Sequence, residues 1–243
     1  MERQNTLKGH KNLTLAAYNS IKEMMLNYDI VPGQRLIFVD LARQLGVSRT
    51  PVNNALSILA KEGYLDFVPN LGYSVHKLTK EEAESLYEVR EILEIGTIDK
   101  AVRLMTDDTL HTFEKYKNAY EEAISDRVHR KLFLIDTEFH ASLIEMVGNK
   151  FLTERYRDIC LRIVLRFRTE DLRIARIRDI VKEHDRLFEA VSKRRVEAIK
   201  QLMLNHNHNA KENLFAIIFR NDQAIEKIKA GVATSSLLSD PLV

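Results

Sequence analysis

The chain has 243 residues, enough for two domains of ordinary size or one large one. Hydrophobic residues make up 45% and charged residues 30%, with only 8 glycines and 4 prolines, a composition of a soluble globular chain that favours long helices over a sheet-rich fold. A net charge of +2 does not mark a nucleic-acid binder by itself, the lone Cys160 argues against a disulfide framework, and no apolar run reaches the ~18 residues that suggest a membrane span.

The first twelve residues, MERQNTLKGHKN, are polar and lack the apolar segment of a secretion signal, so a cytoplasmic protein is expected. Residues 13–29 then place Leu13, Ala17, Ile21, Met24 and Met25 at helical spacing. Pro32-Gly33 breaks the chain, and residues 38–45 form a short helix with Asp40, Arg43 and Gln44 outward and Leu41, Ala42 and Leu45 available for packing. Gly46 stops that helix, and Ser48 caps the next, which carries Pro51 in its first turn and buries Val52, Leu56 and Leu59 before ending at Gly63. Residues 64–68 and 73–77 are β-prone and flank Pro69-Asn70-Leu71-Gly72, the pattern of a hairpin, and no other strand is expected. Thr79 with Glu82 reads as a capping box opening a long helix. Helical periodicity then continues to about residue 228, with breaks near 107–108, 125–126, 148–149, 169–172 and 192–195. The expected fold is therefore mainly α: a winged helix-turn-helix over residues 1–78, an all-helical bundle of six or seven helices over 79–228, and a loose tail over 229–243.

A short helix, a tight turn at Gly46 and a second helix make a helix-turn-helix, and the hairpin behind it makes the winged form. The second helix can lie in the major groove with its leading residues against base edges. Ser48, Arg49, Thr50, Asn53 and Asn54 occupy that leading part, where Arg can bond guanine and Asn adenine through two atoms each. Residues 1–78 also carry 9 Lys and Arg against 6 Asp and Glu, while the rest carries 28 against 29, a slight basic bias at the DNA-facing end. The stretch Pro32-Gly33-Gln34-Arg35-Leu36, Leu41-Ala42, Leu45 to Val52, Ala55-Leu56, Leu59, Glu62-Gly63 and Pro69-Asn70-x-Gly72 resembles the GntR family of transcriptional regulators. The resemblance implies that Arg35, Arg49 and Thr50 contact DNA and that Gly72 lets the wing tip approach the minor groove. It also has departures: Asn53-Asn54 stand where the family commonly has Arg-Glu, and Leu71 stands where it often has Arg, so two expected cations are missing and phosphate attraction falls.

In the second half, Asp136 and His140 lie four apart in a helical stretch and share a face. His184 and His206 flank the break near 192–195. At 1.5 Å per residue they lie roughly 13 Å before and roughly 17 Å after that turn, at similar heights on neighbouring helices. One carboxylate and three imidazoles can meet there, a set suited to a divalent Zn, Ni, Fe or Mn, although by spacing alone His208 serves as well as His206. Each piece is also readable as an ordinary surface pair or a core histidine. The segments Asp136 to His140, Leu143, Gly148-Asn149, Glu183-His184, Ala190, Ala198, Met203 and His206 resemble the FCD (FadR-like) subfamily of GntR regulators. Its sensor is a helical bundle that often holds a metal on one Asp and three His. The resemblance selects His206 over His208, and it implies that Arg90, at an Arg-x-x-x-Glu position, binds an effector carboxylate. The alternative is an Arg90–Glu94 surface pair worth tenths of a kcal/mol. Asn149, in the matched Gly148-Asn149 pair, is a further effector candidate. Arg162 and Arg166, one turn apart, either face the pocket or serve packing.

The expectation is a homodimeric regulator that binds double-stranded operator DNA under control of a small carboxylate held at or near the metal. A regulator with a purely structural metal, or a helical metalloenzyme, are the rivals. For the enzyme the sequence offers no general base paired to the site, no nucleophile motif and no phosphate loop.

Overall fold

The computed structural model describes residues 2–124, 129–166 and 174–219. In chain order it contains α1 (Glu2–Leu26), β1 (Arg35–Leu36), α2 (Phe38–Leu45), α3 (Arg49–Lys61), β2 (Leu65–Val68), β3 (Gly72–Val75), α4 (Lys80–Leu104), α5 (Asp107–Ala123), α6 (His129–Glu145), α7 (Lys150–Leu165), α8 (Ile174–Ser192) and α9 (Val196–Ile218).

In the N-terminal part α1 lies on α3, and Ala17, Ile21 and Met25, each four apart, bury one stripe. Leu13, expected on that stripe, is 42% exposed, and α1 starts at Glu2, well before the apolar pattern begins. α2 buries Leu41 and Ala42 and ends at Gly46, whose φ of 64° is left-handed and so suits glycine at the tight turn. Ser48 stands at the N-cap of α3 with extended backbone, but its side chain makes no capping bond. Val52, Leu56 and Leu59 are fully buried beneath that helix. The sheet has the order β1-β3-β2, all antiparallel, with Phe67 opposite Tyr73 and Arg35 opposite Ser74. β1 is the strand the sequence did not announce: two residues carry too little alternation to register.

Six helices, α4–α9, form the second part among the described residues, and the expected breaks fall between them. Those at 125–126 and 169–172 fall in stretches outside the described residues, as do the end of the bundle beyond 219 and the tail over 229–243. Thr79 accepts from the Glu82 backbone N–H at 3.2 Å and so caps α4. The reciprocal half of the expected box is replaced, because the Glu82 carboxylate binds His76 and Arg166 instead. α4 packs on α6, α7 and α9, while α5 covers α6 and α8. α8 and α9 run antiparallel about a three-residue turn in which Arg194 adopts φ 53°. Its guanidinium donates to the Val102 and Met105 carbonyls at 2.5 and 3.1 Å, satisfying acceptors at the end of α4 and pinning the turn there.

Val164 and Leu165, from the last turn of α7, are buried in the same apolar cluster as Ile21, Leu56 and Leu65. The core of the winged domain is thus completed by a residue pair nearly a hundred positions further along the chain.

Candidate functional site

The residues expected to meet DNA share one property: Arg35, Ser48, Arg49, Thr50, Asn53 and Asn54 are all exposed. Their neighbours Val52, Ala55, Leu56 and Leu59 hold α3 to the core, so the polar edge of the helix has no route but outward. Gly72 (φ 85°) opens β3, and Asn70 (φ 65°) shapes the wing turn. Phe67, Val68 and Leu71 stand exposed on that wing.

In the bundle, Asp136 and His140 from α6, His184 from α8 and His206 from α9 converge; one ligand atom from each lies within 4.8 Å of all the others, and all four residues are buried. The His184 Nε2 is 3.1 Å from Asp136 Oδ1, and the Nε2 atoms of His140 and His206 are 3.0 Å apart. His206 Nδ1 is hydrogen-bonded to Glu183 Oε2 at 2.8 Å, and His140 Nδ1 lies 3.1 Å from Glu94 Oε1. A carboxylate at Nδ1 favours the proton on that nitrogen and leaves the lone pair on Nε2. Two Nε2 lone pairs then face each other across 3.0 Å beside an anionic Asp136, an arrangement that calls for a cation. Asp136 Oδ1 and both ring nitrogens of His184 are buried without a hydrogen-bond partner, a state costing about 1–3 kcal/mol per group. These residues fit a borderline divalent metal. His208, the alternative by spacing, is exposed.

The surroundings tune these groups. Burial holds the His184 imidazole down at about 4, so it is neutral at pH 7, as a ligand must be; burial lowers His206 as well. Burial works to raise Glu94, but Arg90 and His140 win and hold it at about 2. Phe139 stacks on Phe113 (4.3 Å) and lies 4.1 Å from the His184 ring, fixing it in place. Glu94 is a hub: it accepts from Arg90 Nε at 3.3 Å, from the Tyr156 hydroxyl at 2.6 Å and from Asn207. The spacing of Arg90 and Glu94 was visible in the sequence. The roles of Tyr156, Asn207, Glu183 and Arg176 were not, because they arise across helices.

Beside the four residues lies a cavity of about 580 Å3 counted to its mouth, bordered by Arg90, Asp136, Arg176 and His206 together with Tyr87, Tyr120, Leu132 and Ile177. Arg90 is 1% exposed, so its contact with Glu94 is a buried pair, not the surface pair weighed above, and its Nη2 has no hydrogen-bond partner. Two effector candidates sit elsewhere. Asn149 is exposed and caps α7 through the Phe151 N–H at 3.1 Å. Arg162 binds Asp158 at 2.9 Å and lies 5.4 Å over the Tyr64 ring, at the boundary with the winged domain. Packing against that domain, rather than ligand contact, uses its cation.

That boundary has its own polar network. Arg166 is 4% exposed and donates to the Gly63 carbonyl, just past α3, and to Glu82 in the first turn of α4. Tyr64 donates to Asp158 at 2.9 Å, and the His76 ring sits between Asp66 (2.7 Å) and Glu82 (2.6 Å).

Comparison with known proteins gives these features a context. Residues 13–75 match the bacterial regulatory proteins of the gntR family, and residues 85–209 match the FCD domain. The chain is 31% identical over 200 residues to the HTH-type transcriptional regulator YdhC of Bacillus subtilis, covering 80% of this chain and 88% of that one. It is 32% identical over 140 residues to the Nta operon transcriptional regulator of Aminobacter aminovorans, covering 58% and 66%. The solved structure of Escherichia coli McbR/YncC superposes with a TM-score of 0.71 at 22% identity, over 84% of this chain and 97% of that one. No helix among the described residues is long and apolar enough to cross a membrane. With a winged helix-turn-helix in front and a helical domain of the FCD type behind, the chain belongs to the GntR family of DNA-binding transcriptional regulators, in its FCD branch, and is not an enzyme.

Proposed function

We propose that this regulator senses a small carboxylate in the cavity of its helical domain, beside a divalent metal held by Asp136, His140, His184 and His206. The carrying observation is the meeting of three imidazoles and one carboxylate from three helices, with orphaned donor atoms, directly beside a cavity bordered by Arg90. A bound divalent ion supplies positive charge and open positions for anionic oxygens. The chain's own part is to orient His140 and His206 through Glu94 and Glu183, and to offer the Arg90 guanidinium to an acid.

On the DNA side Ser48, Arg49, Thr50, Asn53 and Asn54 read or position the major groove, while Arg35 and Gly72 meet the backbone and the minor groove beside the wing. Exposure of this set on a helix anchored by Val52 and Leu56 supports the reading. A homodimer sets two such helices about one DNA turn apart on a palindromic site. The acid switches the protein only if it binds the DNA-competent and DNA-incompetent arrangements with unequal affinity.

Two measurements test this. Elemental analysis of the purified protein should find about one divalent ion per chain, lost in His184→Ala. Fluorescence anisotropy on a fragment upstream of the gene should find salt-sensitive binding that a specific carboxylate changes in the wild type and not in His184→Ala. Metal without any response to acids leaves a structural ion only, and absence of DNA binding under all conditions removes the operator assignment.

A further inference from the structure

Two guanidinium groups border the cavity. Arg90 comes from α4, at the side occupied by Asp136, and its Nη2 is buried without a hydrogen-bond partner. Arg176 comes from the first turn of α8. Its two Nη atoms grip Glu183 at 2.6 and 2.9 Å, and its Nε is buried without a partner. Arg176 also borders an open cleft on the outside of α8 and α9, shared with Lys182 and Arg186, so an anion arriving from solvent meets it first. Between the two cations the wall is largely apolar, with Leu132, Ile177, Ile180 and Leu214.

A single carboxylate can satisfy one of these donors and must leave the other facing hydrocarbon. A molecule with an acid group at each end and a short carbon spacer satisfies both, and its spacer matches the wall between them. The space open to water-sized centres is about 40 Å3, equal to roughly three waters at about 10–15 Å3 each, which excludes long chains. Resting on the acid-sensing reading above, we infer that the effector is a short dicarboxylate, with one head at Arg90 and the other at Arg176. Arg176 is then the residue that distinguishes two-headed from one-headed acids. Its grip on Glu183 is shared with Asn209 and with His206, so engaging the second head at Arg176 touches a group already connected to the four-residue cluster.

Isothermal titration of the full-length protein, as purified and with its metal content measured, compares malonate, succinate and glutarate with propionate and butyrate at constant pH and ionic strength. At least one dicarboxylate should bind tenfold or more tightly than the monocarboxylate of matched length. Arg176→Gln should remove that advantage and leave the monocarboxylate affinity within twofold, whereas Arg90→Gln should weaken both kinds. Arg176→Lys, which keeps the charge, should retain part of the advantage and guards against misfolding in the glutamine variant, as do melting curves of each protein. Equal affinity for both kinds in the wild type, or equal loss of both in Arg176→Gln with the fold intact, overturns the dicarboxylate assignment while acid sensing stands. Failure of every acid to bind overturns both.

Discussion

At the scale of single residues, the chemistry of the helical domain is set by partners one contact removed from the four converging side chains. Glu183 holds His206 Nδ1 at 2.8 Å. Glu183→Gln keeps the shape and removes the charge that orients and enriches the imidazole, so metal affinity should fall by about 10–100-fold in a competition titration with a chromophoric chelator. Cys160 provides a different check. Burial pushes its thiol from 9.0 up to about 11, against the opposing pull of Arg90. The folded state thus favours the neutral thiol: this contribution is complete below the unfolded value, and it is lost as pH rises towards about 11. At pH 8 native Cys160 should therefore resist a disulfide reagent that reacts at once after denaturation, and fast labelling of the folded protein would contradict the buried placement. On the DNA side, Asn53→Ala should relax preference at a single base pair by about 1–3 kcal/mol if Asn53 reads an adenine, measured by binding to a set of single-base operator variants.

At the scale of elements, α7 deserves the role of connecting rod. Its middle carries Tyr156, bonded to Glu94 beside the four-residue cluster; its end carries Arg166, bonded to Gly63 behind the recognition helix α3. Arg166→Ala strips the Gly63 carbonyl and Glu82 of a buried donor and should cost about 1–3 kcal/mol of stability in a thermal or denaturant melt. If α7 carries the signal, the same change should also shrink the ratio of DNA affinities with and without the effector. Very little of this rod was readable in advance. Local spacing revealed α2, α3, the hairpin and every break between bundle helices, because caps, glycines and apolar stripes are short-range features. The Asp136–His140 pair was legible as neighbouring turns of one helix, and His184 and His206 as equal heights on a helical hairpin. Glu94 as hub, Arg176 at the cavity and Arg162 at the boundary depend on how separate helices are turned against one another, which residue spacing does not encode. Arg162 and Arg166 are one turn apart on one helix, and nothing local shows that they face the winged domain instead of the cavity.

At the scale of the whole molecule, charge is placed sparingly on the DNA side. Leu71 is 55% exposed on the wing, at a position where a cation would serve phosphate attraction. Leu71→Arg should tighten operator binding and steepen the dependence of log affinity on log salt by about 0.9 for each protomer in the complex, as read from anisotropy at several salt concentrations. An unchanged slope would mean that the wing does not reach the backbone. The seating of Val164 and Leu165 among Ile21, Leu56 and Leu65 bears on the molecule in another way. A polypeptide stopped after Leu78 would lack two of its own core side chains and would present that raw apolar socket to water, inviting self-association. The reading head therefore cannot be detached and kept as an independent operator binder: its folding waits for a helix made much later by the ribosome, and any partial product released before residue 165 should be a substrate for proteolysis rather than a constitutive repressor.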